Sequence, residues 1–202
     1  MNHRLKGYMN MKTIVGLTGG YCSGKNEAAQ TLAREGFHLI DVDILGHKAL
    51  ETSREELKRA FGPAILSPDG RVNRRALADI VFSSSEELQL HEAIVHPMML
   101  SLLNQEIEAY PRVCINAALL YRFPQAKSCD LIIEMRAPFF IRVKRGQIRD
   151  GLGVRDILRR ISNQHYLWDM RPTEGPKIVY IHNDGDLAAL DRAIKAVLET
   201  LF

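Results

Sequence analysis

The segment Gly19-Gly20-Tyr21-Cys22-Ser23-Gly24-Lys25 has the spacing G-x-x-x-x-G-K, placed between an apolar run and a helical pattern. Backbone N–H groups in such a segment can turn inward around a phosphate, because glycine tolerates the positive φ angles the turn needs. The helix opening there adds the partial positive charge of its N-terminus. Lys25 reaches the β- and γ-phosphates as a point charge. Gly20, Cys22, Ser23 and Gly24 therefore read as a phosphate cradle, with Lys25, Asn26 and Glu27 at the head of the helix. A glycine-rich turn that binds nothing is the alternative, and the presence of strand, loop and helix together weighs against it. Where Ser or Thr ordinarily follows the lysine, this chain has Asn26. A hydroxyl there ligates Mg²⁺, a hard cation that prefers oxygen in a tight octahedron; the Asn carbonyl oxygen is a neutral substitute set farther from the backbone.

Acidic and basic candidates lie elsewhere in the chain. Asp41-Val42-Asp43 closes a second apolar run, and the C-terminal ends of strands are where open α/β sheets place ligands. Phosphoryl transfer needs a carboxylate to orient the attacking hydroxyl and to hold Mg²⁺, and Asp43 is the candidate for both. Its alternative is a helix N-cap for the segment starting at Ile44. Asp41 reads as secondary support. The one dense basic run, Arg136–Arg160, contains Arg145, Arg149 and Arg160, which could close over phosphates and neutralise developing charge. A solvated basic helix face is the alternative reading.

These residues need a scaffold, and the hydrophobic pattern supplies one. Thr13–Leu17, Phe37–Ile40, Val113–Ala117, Leu131–Glu134 and Ile178–His182 read as five short strands alternating with helical patterns. Such alternation predicts an α/β fold with a parallel sheet covered on both faces. Lys25–Arg34 reads as a helix stopping near Gly36. The stretch 44–112 is mostly helical, too long for one crossover, and broken at Gly62-Pro63 and Ser67-Pro68-Asp69-Gly70; it is expected to be an insertion. Leu100–Ile107 and Leu187–Phe202 carry apolar residues at helical spacing and read as core-facing helices. Trp168, the single tryptophan, could cap the basic segment or plug the core.

With 202 residues, 46% hydrophobic and 25% charged, the chain suits one globular domain and not a disordered one. A net charge of +3 is a mild excess, and the only dense basic run, Arg136–Arg160, points to a smaller anionic partner and not to a nucleic acid. Cys22, Cys114 and Cys129 have no metal-ligand spacing and point to a reducing, cytoplasmic setting. No stretch approaches the roughly 20 apolar residues of a membrane span, and the polar, basic Met1–Lys12 does not read as a signal segment. Met9 and Met11, just before the first strand, leave the natural start open.

From Gly16 to Lys25 the sequence resembles the opening of the dephospho-coenzyme A kinases, and the resemblance continues along nearly the whole chain. Asp41-Val-Asp43 is similar to the family's D-A-D element, Gly70-Arg-Val-Asn-Arg74-x-x-Leu77 to its G-x-l-d-R-x-x-L stretch, and His96-Pro97 to its H-P pair. Arg145-x3-Arg149-Asp-Gly-Leu152 and Arg160-Ile-x-x-Gln164 resemble its lid, and Asn183-Asp-Gly185 its closing N-x-G loop. Two further departures accompany Asn26: Ala118-Leu-Leu-Tyr-Arg122 stands where the family has P-L-L-x-E, and Arg142 where it has glutamine.

The resemblance implies a single P-loop kinase domain over 1–202, with a five-stranded parallel sheet in three layers, a helical substrate-binding insertion at about 44–112 and a lid at about 136–170. It implies transfer of the ATP γ-phosphoryl group to the ribose 3′-hydroxyl of dephospho-coenzyme A. Lys25, Asp43 and Arg149 would be catalytic, with Arg145 and Asn183 joining the loop in binding ATP. Asp43, Arg74 and His96 would meet the substrate, and Asn26 and Asp43 the Mg²⁺. For Arg74 an ion pair, for His96 a packing or helix-terminus role, and for Asn183 a turn are the structural alternatives. A non-catalytic nucleotide-binding relative and another small-metabolite P-loop kinase remain as alternative functions.

Overall fold

The computed structural model describes residues 12–164 and 166–201, so Met9 and Met11 lie outside the described residues. The five apolar runs form β1 (Thr13–Gly19), β2 (His38–Asp41), β3 (Arg112–Asn116), β4 (Leu131–Arg136) and β5 (Lys177–His182), in the sheet order β2-β3-β1-β4-β5. β1 pairs in parallel with β3 on one side and β4 on the other, and β4 pairs in parallel with β5. The chain thus leaves β1 towards one half of the sheet and later returns to build the other. That reversal opens a crevice at the C-terminal end of β1, where the Gly19–Lys25 loop begins.

Period-two alternation assigns each face of the sheet. Val15 and Leu17 of β1, with Leu131, Ile133 and Met135 of β4, face a cluster containing Ala28, Ala29 and Leu32 of α1 (Lys25–Arg34). Residues between them face the other way. Gly16 lies against Leu120, Ile132 and Cys129, and a Cβ there would come within 2.7 Å of the Leu120 side chain. Thr18 donates to the Ala118 carbonyl at 3.1 Å. The divergent segment Ala118–Arg122 therefore builds the second face, with Leu120 and Tyr121 buried and Arg122 exposed.

Asp41–Ala109 forms a compact unit of its own, apart from the unit that contains the sheet. It comprises α2 (Val42–Thr52), α3 (Arg54–Phe61), α4 (Arg74–Val81) and α5 (Ser85–Ala109) around Ala49, Leu57, Ile65, Leu77, Val81 and Val95. A Ser67–Gly70 turn, closed by a Gly70 N–H to Ser67 carbonyl bond of 2.8 Å, joins its halves. Pro97 sits inside the 25-residue α5, so His96 is an exposed mid-helix residue and not the helix-terminus residue that was one of its readings. Without an N–H, Pro97 removes one helical hydrogen bond, and the apolar positions Val95, Leu103 and Ile107 hold the helix on either side.

After β4 the sheet unit continues with α6 (Phe139–Asp150), α7 (Val154–Ser162), the single turn α8 (Tyr166–Asp169) and, beyond β5, α9 (Leu187–Glu199). Leu190, Ile194 and Leu198 of α9 complete the α1 cluster. Trp168 is half-buried and stacks on Arg171, whose guanidinium carbon lies 5.0 Å from the ring centre; it does not plug the core. No helix among the described residues is long and apolar enough to cross a membrane.

Candidate active site

The loop after β1 has the geometry of an anion cradle. Cys22 adopts φ 57°, and Gly24, the N-cap of α1, adopts φ 94°. A left-handed cysteine costs about 1–2 kcal/mol relative to glycine, so the loop's shape overrides the residue's preference. Ser23 N–H closes a turn on the Gly20 carbonyl at 3.0 Å. Among the described residues, the backbone N–H groups of Cys22, Gly24 and Asn26 have no protein acceptor, and the buried Ser23 hydroxyl has no partner. Orphan donors converging at a helix N-terminus fit an oxyanion. Asn26 and Glu27 are exposed in the first turn of α1, the carboxamide unbonded to any described residue.

Lys25 points across the mouth of the loop, its Nζ 2.5 Å from Oδ1 of Asn116 at the end of β3. Asn183, just past β5, is buried and links three parts: its N–H donates to the Arg136 carbonyl at 2.7 Å, and its Nδ2 to the Ser23 carbonyl at 3.0 Å. Its Oδ1 accepts from Arg145 Nη2 at 3.2 Å. The position is thus more than the turn that was its alternative.

One face of α6 lies on the loop, because Arg142, Arg145, Gly146 and Arg149 follow i, i+3, i+4, i+7 spacing. Gly146 admits the Tyr21 ring, and a Cβ there would approach Tyr21 Cε1 at 2.9 Å. Arg142 Nε donates to the Tyr21 carbonyl at 2.7 Å, and Gln164 Oε1 accepts from the Tyr21 N–H at 2.6 Å. The Tyr21 hydroxyl donates to Asp150. Asp150 also takes two bonds from Arg149, at 2.8 and 3.0 Å, and sits 3.6 Å from Arg160. Those arginines and the Tyr21 hydroxyl hold the Asp150 carboxyl well below the usual carboxylate range. Burial, then the bond to Asp150, pushes the Tyr21 phenol up. Burial likewise outweighs the nearby Arg149 charge and raises the Cys22 thiol, so Cys22 is not an activated nucleophile.

The remaining candidates belong to the Asp41–Ala109 unit. Asp41, not Asp43, caps α2: its side chain accepts from the N–H groups of Asp43 at 3.0 Å and Ile44 at 3.2 Å. That corrects the cap alternative for Asp43, whose exposed carboxylate has no described partner. Arg74 opens α4 with Nη1 2.6 Å from His47 Nε2, so its partner is a histidine and not the expected acid. Both line a cleft of about 590 Å³ with Glu51, Ser67, Asp69 and Arg71. His96 lies exposed on α5.

Sequence reasoning missed Asn116, Tyr21, Asp150 and His47 as site neighbours, and it missed Glu134. The last is 1% exposed in β4, between the apolar Ile133 and Met135, and accepts from Tyr121 at 2.8 Å, Arg136 at 3.0 Å and Arg171 at 2.7 and 2.8 Å. Burial alone would raise its carboxyl, but the Arg171, Tyr121 and Arg136 hydrogen bonds win and lower it. A polar residue in an apolar strand was the available signal.

The sequence profile of a family described as dephospho-CoA kinase matches residues 13–188. The chain belongs to the dephospho-CoA kinase family. A dephospho-CoA kinase of Thermus thermophilus is 37% identical over 192 residues, spanning 93% of this chain and 91% of that protein. Among solved structures, a Thermus thermophilus protein superposes with a TM-score of 0.78 at 36% identity, covering 95% of this chain and 99% of its own. The dephospho-CoA kinase of Campylobacter jejuni shares the fold with a TM-score of 0.70 at 20% identity, covering 95% of this chain and 98% of that one. Tyr21 and Cys22 lie in the loop after β1, and Asn26 in the first turn of α1.

Proposed function

We propose that the protein transfers the γ-phosphoryl group of Mg²⁺-ATP to the ribose 3′-hydroxyl of dephospho-coenzyme A, giving coenzyme A and ADP. The observation that carries this is the cradle of unpaired N–H groups at Cys22, Gly24 and Asn26 beside Lys25, in a chain of this family. The P–O bond to ADP breaks, the bond to the 3′-oxygen forms, and the hydroxyl proton passes to the exposed carboxylate of Asp43. Lys25 neutralises charge on the β- and γ-phosphates, and Arg145 and Arg149 add to it as the transition state develops. Asn183 fixes the loop and Arg145 together, and Arg74 and His96 contact dephospho-coenzyme A.

Among the described residues no cluster of His, Cys, Asp or Glu could by itself hold a metal. Mg²⁺ would enter with ATP, and the oxygen donors of Asn26 and Asp43 would hold it, directly or through water. When bound, the ion screens the phosphate charges.

The test is ADP release from Mg²⁺-ATP with dephospho-coenzyme A, nucleoside monophosphates and small sugar acids as acceptors. Saturable release with dephospho-coenzyme A alone is expected. A preference for another acceptor would reassign the substrate, and ATP binding without release would favour a non-catalytic relative.

A further inference from the structure

The three arginines on the loop-facing side of α6 are not equivalent. Arg149 spends its guanidinium on Asp150, and Arg145 Nη2 on Asn183. Arg142 spends only Nε, on the Tyr21 carbonyl; neither of its terminal nitrogens bonds a described residue, and no described carboxylate pairs with it. Its guanidinium lies against Gly20 in the first half of the cradle. A Cβ built on Gly20 would sit 2.7 Å from Nη2, 3.1 Å from Cζ and 3.4 Å from Nη1, so a side chain there would push the guanidinium aside. The Arg142 residue is half-buried, and Gly20 beneath it is buried. A half-buried cation with four unspent N–H donors is costly unless an anion meets it. The anion cradle is the structure it touches.

We infer that Arg142 is a further phosphate-binding and catalytic residue, donating from its terminal nitrogens to a phosphate oxygen of the nucleotide held in the loop. The inference rests on the phosphoryl-transfer reading above. Its chemistry is that of a fixed guanidinium: planar, always charged, and anchored through Nε so that both NH₂ groups face one way. A glutamine at this position would offer two donors and no charge. Arg142 therefore adds a cation to a loop whose metal-side residue, Asn26, is a neutral carboxamide instead of a hydroxyl.

The experiment measures two things on the full chain: kcat with dephospho-coenzyme A, and the Kd of inorganic tripolyphosphate without Mg²⁺, by calorimetry. For Arg142→Gln we expect kcat to fall on the order of 10²-fold and tripolyphosphate Kd to rise about tenfold, the scale of a lost charge-assisted contact. Arg142→Lys should keep most of the affinity, and millimolar guanidinium should restore part of the rate of Arg142→Ala. A purely structural hold on Tyr21 would show neither effect. The inference is overturned if Arg142→Gln stays within about threefold of the parent in both readouts while Lys25→Ala loses both. Should the parent fail to phosphorylate dephospho-coenzyme A, the functional reading falls alone, and the tripolyphosphate Kd still decides Arg142. If Arg142→Gln does not fold, Arg142→Lys decides: affinity near the parent's supports the inference, and affinity as poor as that of Lys25→Ala refutes it.

Discussion

The first and last turns of α6 carry the same residue type in different company. Arg142 and Arg145 meet backbone, a carboxamide and the loop after β1, and Arg145 Nη1 is buried without a partner among the described residues. Arg149, seven residues beyond Arg142, is neutralised by Asp150 and rests over the Tyr21 ring at 5.0 Å. Arg171 goes further, giving two bonds to the buried Glu134. The difference teaches that a basic run is not one functional unit. A cation paired by the protein holds the fold in place, and one left unpaired beside orphan N–H groups is available to substrate.

Several substitutions break or sharpen that contrast. Lys25→Ala sets the scale and should lower kcat on the order of 10²–10³-fold with little change in melting temperature, because it removes a cation facing the transferred group. Steady-state rates and a thermal melt check it; a rate within a few-fold of the parent would remove Lys25 from the site. Glu134→Gln represents the paired class. It should cost about 2–3 kcal/mol of stability at pH 7, since it leaves Arg171 and Arg136 without their buried counter-charge. The folded-state pKa of Glu134 is depressed, so its contribution is full above the ordinary glutamate range near 4.3 and is lost as pH falls through the lower folded value. Urea titrations from pH 7 downward should therefore show the variant and parent converging in acid. A gap that widens on acidification would reverse the assignment.

The direct comparison is Arg145→Ala against Arg149→Ala. The first should lower kcat by about 10²-fold and the second by about tenfold, since Arg149 must leave Asp150 before it can serve the phosphates. Equal losses would erase the distinction between the two ends of α6. Smallest of all, Asp150→Asn should free Arg149 and Arg160 and tighten ATP binding by about two- to threefold at low salt, the scale of an exposed ion pair. Weaker ATP binding in Asp150→Asn would mean that the Asp150 contacts hold the arginines in their working position.

Much of the scaffold was legible before any coordinates. The helix Lys25–Arg34 has the bounds read from its loop and from Gly36, because local chemistry starts and stops it. All five strands fall where the apolar runs lie, with ends shifted by up to two residues. The loop was legible because its function is written in contiguous residues. What escaped depends on distance along the chain: Arg142 reaches Tyr21 across 121 positions, and Lys25 reaches Asn116 across 91. Asp43 looked like a cap because any aspartate near a helix start does; α2 begins at Val42, two residues before Ile44, and that gave the role to Asp41. His96 was ambiguous because proline usually ends a helix, yet α5 runs through Pro97.

The most direct test of the account is the position of the phosphoryl group in the product. The full chain, incubated with Mg²⁺-ATP and dephospho-coenzyme A, is analysed by ³¹P NMR and mass spectrometry, with Lys25→Ala as the control. The account predicts one new monoester on the ribose 3′-oxygen, formed in step with ADP and absent from the control. A product phosphorylated elsewhere, or ADP formed without any phosphorylated acceptor, would contradict it.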